Sequence, residues 1–472
     1  MKLRLIALLF AMSTLEMFGA DISQQPPQVA IPAQFHGPAV DGPADVARWW
    51  KNFNDAQLDR LVERALRSNL DLQIAETRLR EARANRKVAS SELYPHLNAS
   101  GSLSRAQNNI GQAFGGSASG SNIFVGSQPA NFGMAGLDAS WELDLFGTKR
   151  NKVRAAAADL AGAEDARRNV LVSLLAELAR NYVEIRTSQR HIAITENRIQ
   201  AQEQTLALTR RRYEAGLVGV LDVTRAESEA ASVKAEMPPL KTSLQQSIHR
   251  VSVLLGEEPG KLNSELAMVQ PIPKTPSSIP AGVPSDLLLR RPDVRQARDE
   301  VAAAIARLGI AKGDLFPKFS LTGSFGGAGT VGESRGLSLG FSKFFTFGPT
   351  VTLPIFDGGR LRANVRIQEA RQQQSVIRYH QVVLQSLEEV ENALVAYAQE
   401  QERQQSLAVA AEASRRAVDL ANQLYSNGVG DFLAVLEAQE SLYSSEDQLV
   451  RSQRSAATNL ISLYKALGGG WD

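Results

Sequence analysis

The sequence predicts a mixed α/β fold, mainly α-helical, in which a unit of helix, two strands, long helix and helix occurs twice. Three observations carry this prediction. The chain of 472 residues matches itself in several short segments. Apolar residues recur at every seventh position from Leu171 to Tyr213 and, with one polar exception, from Val376 to Tyr425. Four segments alternate apolar with polar residues. We therefore expect long packed helices joined to amphipathic strands.

The composition excludes several function classes. Lysine and arginine number 52 against 50 aspartates and glutamates, so the net charge of +2 provides no bulk attraction for nucleic acid. The absence of cysteine excludes disulfides, thiolate metal sites and lipid attachment through cysteine. The five histidines are widely separated, so we expect no metal and no other cofactor. No motif combines a nucleophile, a base and an orienting group, and we predict that the protein is not an enzyme.

The start of the chain is typical of an export signal over residues 1–20. Lys2 and Arg4 precede the apolar run Leu5–Met12, and Phe18-Gly19-Ala20 forms a candidate cleavage site. Residues 21–48 are predicted to form an extended N-terminal segment. We therefore expect an exported protein.

The duplicated unit is predicted to span residues 49–256 and again residues 286–468. Leu93-Tyr94-Pro95 matches Leu315-Phe316-Pro317, and Tyr213-Glu214-Ala215-Gly216 matches Tyr425-Ser426-Asn427-Gly428. Residues 257–285 lie between the two copies and are rich in proline, which predicts an irregular connector at mid-height of the helices. Residues 469–472 are predicted to form a C-terminal tail.

Each unit contains one very long helix, predicted at about residues 148–215 and about residues 357–427. The first heptad series is Leu171, Leu178, Ile185, Ile192, Ile199, Leu206 and Tyr213. The second is Val376, Val383, Val390, Tyr397, Gln404, Ala411, Val418 and Tyr425, with one polar exception. A period of 3.5 residues predicts a left-handed supercoil of packed helices, and the Arg, Glu and Gln rows between these positions are interpreted as solvated faces.

Two shorter helices flank the first long helix, and together they match it in length. We expect Asp55–Glu92 and Val220–Gly256 to stack end to end beside it, with Met237-Pro238-Pro239 interrupting the second of them. The connector and both chain ends would then surround the long helices.

The four strands are predicted at about residues 93–104, 132–146, 315–325 and 337–356. Leu137, Ala139 and Trp141 alternate with Asp138 and Ser140, a pattern typical of a membrane-spanning β-strand. A half-buried strand of a soluble sheet has the same period. We favour the membrane because no other element of the sequence is available to cover the apolar faces. The glycine- and serine-rich segments Gly111–Gly126 and Gly326–Gly336 are expected to join the strands.

Strands in lipid must close into a barrel, and four strands are too few to do so. Two chains would supply eight strands around a filled interior, whereas three would supply twelve and leave an aqueous lumen. The acidic side chains of the second strand are expected to face this lumen and to favour cations weakly. They are Asp138, Glu142 and Asp144.

Several segments distributed along the chain carry a family resemblance. They are Trp49-Trp50 with Phe53, Asp55 and Leu58; Leu288-Leu289-Arg290-Arg291-Pro292-Asp293-Val294; Leu353-Pro354-Ile355-Phe356-Asp357-Gly358-Gly359-Arg360; Arg212-Tyr213-Glu214-Ala215-Gly216 with Leu221-Asp222-Val223; and Gly468-Gly469-Gly470-Trp471. The sequence resembles the outer-membrane factor family, the TolC-like channels of tripartite efflux pumps. The most similar branch works with resistance-nodulation-division pumps.

This resemblance implies a homotrimer whose twelve-stranded β-barrel in the outer membrane of a Gram-negative bacterium continues into a periplasmic α-helical barrel. It further implies passive conduction of drugs or other small solutes, delivered by an inner-membrane resistance-nodulation-division pump and a periplasmic membrane-fusion adaptor. Many members of this branch carry an acylated cysteine, whereas Asp21 follows the candidate cleavage site here. The barrel, embedded in outer-membrane lipid, would therefore hold the protein in place.

The resemblance also implies two sites near the ends of the long helices. The adaptor would contact small apolar residues at the tips, which are Gly216, Leu217, Val218, Gly219, Val220, Gly428, Val429 and Gly430. A periplasmic gate would use tyrosines and charged residues beside them, which are Tyr213, Asp222, Arg225, Tyr425, Asp431 and Glu437. Ordinary heptad packing is the alternative for the tyrosines, and solvated charge is the alternative for the others.

Two other functions remain open at this stage. A type I protein-secretion channel of the outer membrane would have a similar fold, and the substrate is not encoded in these motifs. A soluble periplasmic coiled-coil scaffold would explain the helices but not the four amphipathic strands.

Overall fold

The computed structural model describes residues 31–36, 46–106, 130–276, 282, 284–330 and 342–471. The predicted signal over residues 1–20, most of the segment 21–48 and the glycine-rich segment Gly111–Gly126 lie outside them. The chain divides into two compact units. We call them the strand unit, containing Ala82–Leu160 and Glu300–Val376, and the helical unit, containing Pro27–Glu81, Ala161–Asp299 and Ile377–Asp472.

The elements follow the same order in both repeats. The first repeat contains the 3₁₀ helix Trp49–Phe53, α1 (Ala56–Ser68), α2 (Leu70–Ser91), β1 (His96–Ala106), β2 (Ala130–Leu143), α3 (Thr148–Glu214) and α4 (Val220–Leu254). The second contains α5 (Asp286–Arg290), α6 (Pro292–Gly313), β3 (Lys318–Thr330), β4 (Ser342–Thr352), α7 (Arg360–Ser426) and α8 (Phe432–Ala466). Both long helices, α3 and α7, have 67 residues.

The opening helix of the first repeat is broken at Asn69, where a continuous helix was predicted. Asn69 has an extended backbone (φ −62°, ψ 130°), and its side chain accepts the Leu72 N–H at 2.9 Å and donates to the Leu254 carbonyl at 2.8 Å. The second repeat breaks at the matching position, because Pro292 begins α6 as a first helical residue. There Arg291 donates to the Ala466 carbonyl at 3.0 Å. In both repeats, therefore, the polar side chain at the break donates a hydrogen bond to a carbonyl at the C-terminal end of the returning helix, α4 or α8.

The prediction that Met237-Pro238-Pro239 interrupts the returning helix is wrong. Helix α4 runs through Pro238 and Pro239 to Leu254. The two prolines remove two backbone donors, which leaves the carbonyls one turn earlier without those bonds but does not end the helix. Pro238 and Pro239 lie on the exposed surface, where water can solvate these carbonyls.

The helical unit has its main core where residues 46–53 pack against residues 464–471. Trp49 is 1% exposed and stacks on Tyr464, with the ring centroids 5.4 Å apart. The C-terminal residues close over it, since a Cβ atom at Gly469 would lie 2.6 Å from the Val46 carbonyl oxygen and only glycine fits. Trp471 donates its indole N–H to the Arg290 carbonyl at 3.0 Å. The predicted C-terminal tail is thus part of the core, because its glycines allow the close approach.

The strand unit contains one antiparallel sheet in the order β1-β2-β3-β4. Asp138 of β2 lies opposite Asn98 of β1 and Ser324 of β3, which places polar residues on one face. The other face carries large apolar side chains that are exposed, including Phe345 at 82% and Phe347 at 72%. Among the described residues, β1 and β4 each pair along one edge only. The sheet therefore presents both a bare apolar face and two open edges.

The aromatic side chain of Phe344 lies on the polar face of the sheet. Phe344 lies opposite Gly326, and its ring would be 2.8 Å from a Cβ atom at Gly326 and 3.6 Å from one at Gly136. The two glycines thus provide the space in which the ring lies across β3 and β2. No helix in the described part of the chain has the length and apolar character needed to cross a membrane.

Candidate functional site: helical tips and the polar strand face

The two helical tips are built by the same backbone turn. Gly216 has φ 72°, its N–H bonds to the Tyr213 carbonyl at 2.9 Å, and the next N–H bonds to the Arg212 carbonyl at 2.9 Å. Gly428 has φ 75° and makes the equivalent bond to Tyr425 at 3.0 Å. This pattern satisfies the last carbonyls of a helix and needs a left-handed residue, which glycine adopts without strain. Each long helix therefore reverses within five residues, 215–219 and 427–431.

The tips present apolar side chains to the surface. Leu217 is 67% exposed and Val429, its counterpart in the second repeat, is 78% exposed. Val220 and Leu221 continue this surface into the first turn of α4. Gly219 and Val218 are partly or fully exposed beside them, whereas Gly430 packs against Leu424 of its own hairpin. The structure thus places the predicted contact residues together at each tip, and their role in binding an adaptor remains a prediction.

The predicted gate tyrosines occupy matching repeat positions but different environments. Tyr213 is 48% exposed, whereas Tyr425 is 4% exposed and packs with Ala226 and Val435. Arg212 places its guanidinium 4.2 Å from the centre of the Tyr425 ring and donates to its carbonyl at 3.2 Å. Tyr425 therefore joins the two hairpins of the same chain, while Tyr213 is available to another molecule.

The predicted gate charges lie at the surface near the tips. Asp222 is half-buried, and Arg225 and Glu437 are exposed. Asp431 precedes α8 but makes no side-chain capping bond. Within the described residues none of these four side chains forms an ion pair, although Asp222 and Arg225 lie one turn apart on α4. Their role in a gate remains a prediction.

Other charged residues tie the first hairpin together along its length. Among the described residues, four ion pairs join α3 to α4. Arg198–Glu236, Lys234–Glu203 and Arg210–Glu227 have N–O distances of 2.7–2.8 Å, and Arg250–Glu177 is the fourth. Because they are spaced along an antiparallel pair of helices, they fix the register of the hairpin that carries the first tip.

The predicted lumen residues separate into three environments. Asp138 is exposed on the polar face and accepts the Ser100 hydroxyl at 3.0 Å. Glu142 lies on the same face but forms an ion pair with Lys149 at 3.1 Å. Only the charge of Asp138 therefore remains without a cationic partner among the described residues.

The structure gives Asp144 a different position from the one predicted. It follows the last residue of β2, and its carboxylate accepts the N–H groups of Lys149 and Arg150, each at 2.9 Å. Arg150 also forms a salt bridge with it at 3.0 Å. Asp144 thus holds the start of α3, because the first N–H groups of a helix have no partners within the helix. The alternation of polar and apolar residues continues past the end of β2 at Leu143, and for this reason Asp144 was wrongly predicted to belong to the strand.

A second acidic residue anchors the same helix start. Glu92 accepts hydrogen bonds from Lys152 at 2.7 Å and Lys149 at 2.9 Å. These bonds hold the pKa of Glu92 below its ordinary value. The segment between α2 and β1 is therefore tied to α3 by charge.

A buried polar cluster that was not predicted lies in the helical unit, between α3, the start of α1 and the connector. Arg186 of α3 is fully buried, although its row was interpreted as a solvated face. It donates to Gln189 at 2.7 Å, to the Met268 carbonyl at 2.9 Å and to Gln57. Tyr182 lies beside it and donates to Asp55 at 2.5 Å. One arginine therefore connects the long helix, the start of α1 and the connector.

Burial and the bond to Asp55 raise the pKa of Tyr182 far above its ordinary value. Asp55 also caps α1 by accepting the N–H groups of Gln57 and Leu58 at 2.9 and 3.1 Å. Asp55 was among the residues that carried the family resemblance, but Gln57 was not. Nothing in the sequence alone indicated that Arg186 would reach it.

Within the described residues, no group of three or more histidine, aspartate or glutamate side chains is arranged to hold a metal ion.

Comparison with known proteins places this architecture in a family. The sequence model of the outer membrane efflux protein family matches residues 61–257 and 283–469. Nodulation protein T from Rhizobium leguminosarum bv. trifolii is 32% identical over 449 residues, covering 95% of this chain and 93% of its own length. The toluene efflux pump outer membrane protein TtgC from Pseudomonas putida is 31% identical over 456 residues, covering 95% and 91%. Among solved structures, the outer-membrane channel OprN is 32% identical with a TM-score of 0.82, covering 95% of this chain and 99% of its own. The two matched segments coincide with the two repeats, and the chain belongs to the outer membrane efflux protein family.

Proposed function

We propose that this protein is the outer-membrane channel of a tripartite efflux pump and passively conducts drugs or other small solutes from the pump to the exterior. The observation that carries the proposal is the bare apolar face of the four-stranded sheet. Phe345 and Phe347 are largely exposed on that face, and lipid is the environment in which exposed phenylalanine is stable. The similarity to the toluene efflux pump outer membrane protein TtgC supports the same function.

The open sheet supports a homotrimer. Its edge strands β1 and β4 each leave one row of backbone groups without strand partners among the described residues. Such edges are not stable in lipid, so neighbouring chains must pair with them. Three chains would supply twelve strands, enough for a barrel with an aqueous lumen. Asp138 would then face this lumen.

The exposed apolar tips support docking of a periplasmic adaptor that works with a resistance-nodulation-division pump. Leu217 and Val429 stand on rigid reversals of two helices, and small neighbouring residues permit close approach of another helix. Three chains would present six such tips around one opening.

The gate would act between chains rather than within one. Asp222 and Arg225 have no ion-pair partner among the described residues of their own chain, and Tyr213 is exposed beside them. Each is therefore available to a neighbouring copy in the trimer. We propose that these contacts narrow the periplasmic opening until the adaptor engages.

Conductance across planar bilayers tests the channel and its gate together. The purified protein should have the detergent-corrected mass of three chains and should conduct ions. Asp222→Ala and Arg225→Ala should each raise the resting conductance, whereas Arg211→Ala, an exposed charge on the same hairpin, should leave it unchanged. A monomer that does not conduct would refute the channel, and unchanged conductance in both variants would refute the gate.

Two further variants test the lumen and the tips. Asp138→Lys should lower the preference for cations, and it should do so more than Glu142→Gln, because Lys149 already neutralises Glu142. Leu217→Asp should abolish drug resistance in cells while trimers remain in the outer membrane. Met268→Asp, which changes an equally exposed apolar residue of the connector, is the control and should leave resistance intact.

A further inference from the structure

A cleft of about 730 Å³ lies in the helical unit beside the connector. Residues 269–275 of the connector form one wall, and α3, α7 and α8 supply the others. Its volume falls within the range of small-molecule binding sites. None of the functions considered above uses it.

The connector wall is held in position by bonds to α7. Gln401 donates to the Thr275 hydroxyl at 2.9 Å, and Tyr397 donates to the Pro276 carbonyl. Pro273 is buried, and Ile272 packs against the main core. The cleft is therefore formed before any ligand arrives, which lowers the entropic cost of binding.

The lining of the cleft carries positive charge without negative charge. Arg190 of α3 and Lys274 of the connector line it, together with four glutamine residues, and its described lining contains no carboxylate. Both cations are exposed, and neither forms an ion pair or a side-chain hydrogen bond with the described part of the chain. Two cations that share a cleft and lack partners repel each other, so an anion between them would be favoured.

Two carboxylates on the helices beside the cleft, Glu400 and Asp447, already have partners. Glu400 accepts the Ser452 hydroxyl at 2.5 Å and lies 3.5 Å from the Arg403 guanidinium. Asp447 forms a salt bridge with Arg451 at 2.7 Å. Because these two carboxylates are already paired, they do not neutralise Arg190 and Lys274, which remain available to an anionic ligand.

We propose that this cleft binds a small anion bearing phosphate or carboxylate groups. The planar guanidinium of Arg190 suits two oxygens of such a group, and the Lys274 ammonium supplies a second, more adaptable charge. Gln404 and Gln453 provide donors and acceptors for the polar remainder of the ligand, while Val269 lines the cleft as apolar surface. Binding would clamp the connector to α3, α7 and α8, and it does not depend on conduction through the protein.

Titration calorimetry on the detergent-purified full chain tests this site, with inorganic pyrophosphate and citrate as the anions and glucose as the neutral control. We expect saturable binding of at least one anion, weakening as salt rises, and no binding of glucose. Arg190→Gln combined with Lys274→Gln should weaken the affinity by more than about tenfold, because each cation contributes a charge-assisted bond. Lys241→Gln, which removes an exposed charge of α4 outside the cleft, should bind like the unmodified chain.

Two results would overturn the proposal. One is the absence of saturable binding for both anions at low salt. The other is equal anion affinity in the double variant and the unmodified protein. Circular dichroism and the detergent-corrected mass of the double variant show whether it is folded and assembled, and its bilayer conductance should remain unchanged. A loss of binding with intact conductance therefore separates this site from the channel.

Discussion

Replacement of Arg186 by methionine should destabilise the helical unit more than any surface change. The guanidinium is fully buried and is the shared donor for Gln57, Gln189 and the Met268 carbonyl. It also donates to the Tyr182 hydroxyl at 3.1 Å and lies 4.8 Å from the centre of that ring. A single side chain thus holds the connector and α1 against the long helix.

The magnitude follows from the acceptors that methionine would leave behind. Methionine matches the length and apolar stem of Arg186 but donates no hydrogen bond. Each bond from a charged donor contributes about 1.5–3 kcal/mol, and an unpaired buried acceptor costs about 1–3 kcal/mol. Relief from burying a charge and new apolar packing offset part of this loss. We therefore expect the free energy of unfolding to fall by about 3–5 kcal/mol.

Urea unfolding followed by far-ultraviolet circular dichroism measures this change at one fixed protein concentration. Limited proteolysis should also cut the connector faster in Arg186→Met, because Met268 loses its bond to α3. Arg211→Met makes the same chemical change at an exposed position of α3 and should shift stability by less than about 0.5 kcal/mol. Arg186→Met with the stability of the unmodified chain, or greater, would refute the reasoning, since the buried bonds would then contribute nothing beyond what packing supplies.

Three further predictions concern the sheet and pH dependence. Gly326→Ala should destabilise the assembled sheet by about 1–3 kcal/mol, because its methyl group would lie 2.5 Å from the Ala135 carbonyl oxygen and 2.8 Å from the Phe344 ring. Gly348→Ala, where no atom lies within 4 Å, should not destabilise the sheet; equal thermal midpoints for both variants would contradict this. Burial lowers the pKa of His191, so the unfolded chain binds its proton more tightly and stability should fall as pH drops below about 6.5. His191→Gln should reduce the dependence of the melting temperature on pH below about 6.5. An unchanged pH dependence in this variant would contradict the prediction. Hydrogen bonds from Lys152 and Lys149 of α3 lower the pKa of Glu92. The stabilisation that Glu92 provides is therefore complete above about pH 4.5 and is lost as the pH falls through the lower pKa of the folded state. Glu92→Gln should reduce the fall of the melting temperature with pH in the acidic range.

The long helices are the elements that the sequence specifies most directly. The seven-residue series predicts one helix over residues 148–215, and α3 spans Thr148–Glu214. The second series predicts residues 357–427, and α7 spans Arg360–Ser426. A helix of this length repeats the same local pattern many times, so an error at one position changes little. The glycines at 216 and 428 likewise mark the reversals, because a left-handed turn residue is a local requirement.

The ends of strands and the breaks in helices were harder to predict from the sequence. Asp144 continued the alternating pattern, yet it caps α3, since two N–H groups at the helix start are within its reach. Pro238 carries a strong local signal to end a helix, yet α4 continues past it. In both cases the outcome depends on neighbouring elements, whose positions a short sequence window does not contain.

The sequence by itself determined the duplicated unit, the heptad helices, the tip turns and the amphipathic strands, because periodicity and glycine geometry are properties of local chain segments. Only the tertiary structure decided which equivalent residues are buried. Tyr213 and Tyr425 share a repeat position, but Arg212 covers only Tyr425. Arg186 and Arg190 lie one turn apart on α3, yet one is enclosed by the connector and α1 while the other lines a cleft. Burial and charge pairing depend on contacts between segments that are far apart in the chain. Tertiary packing decides which segments meet, and the periodicity of the sequence does not.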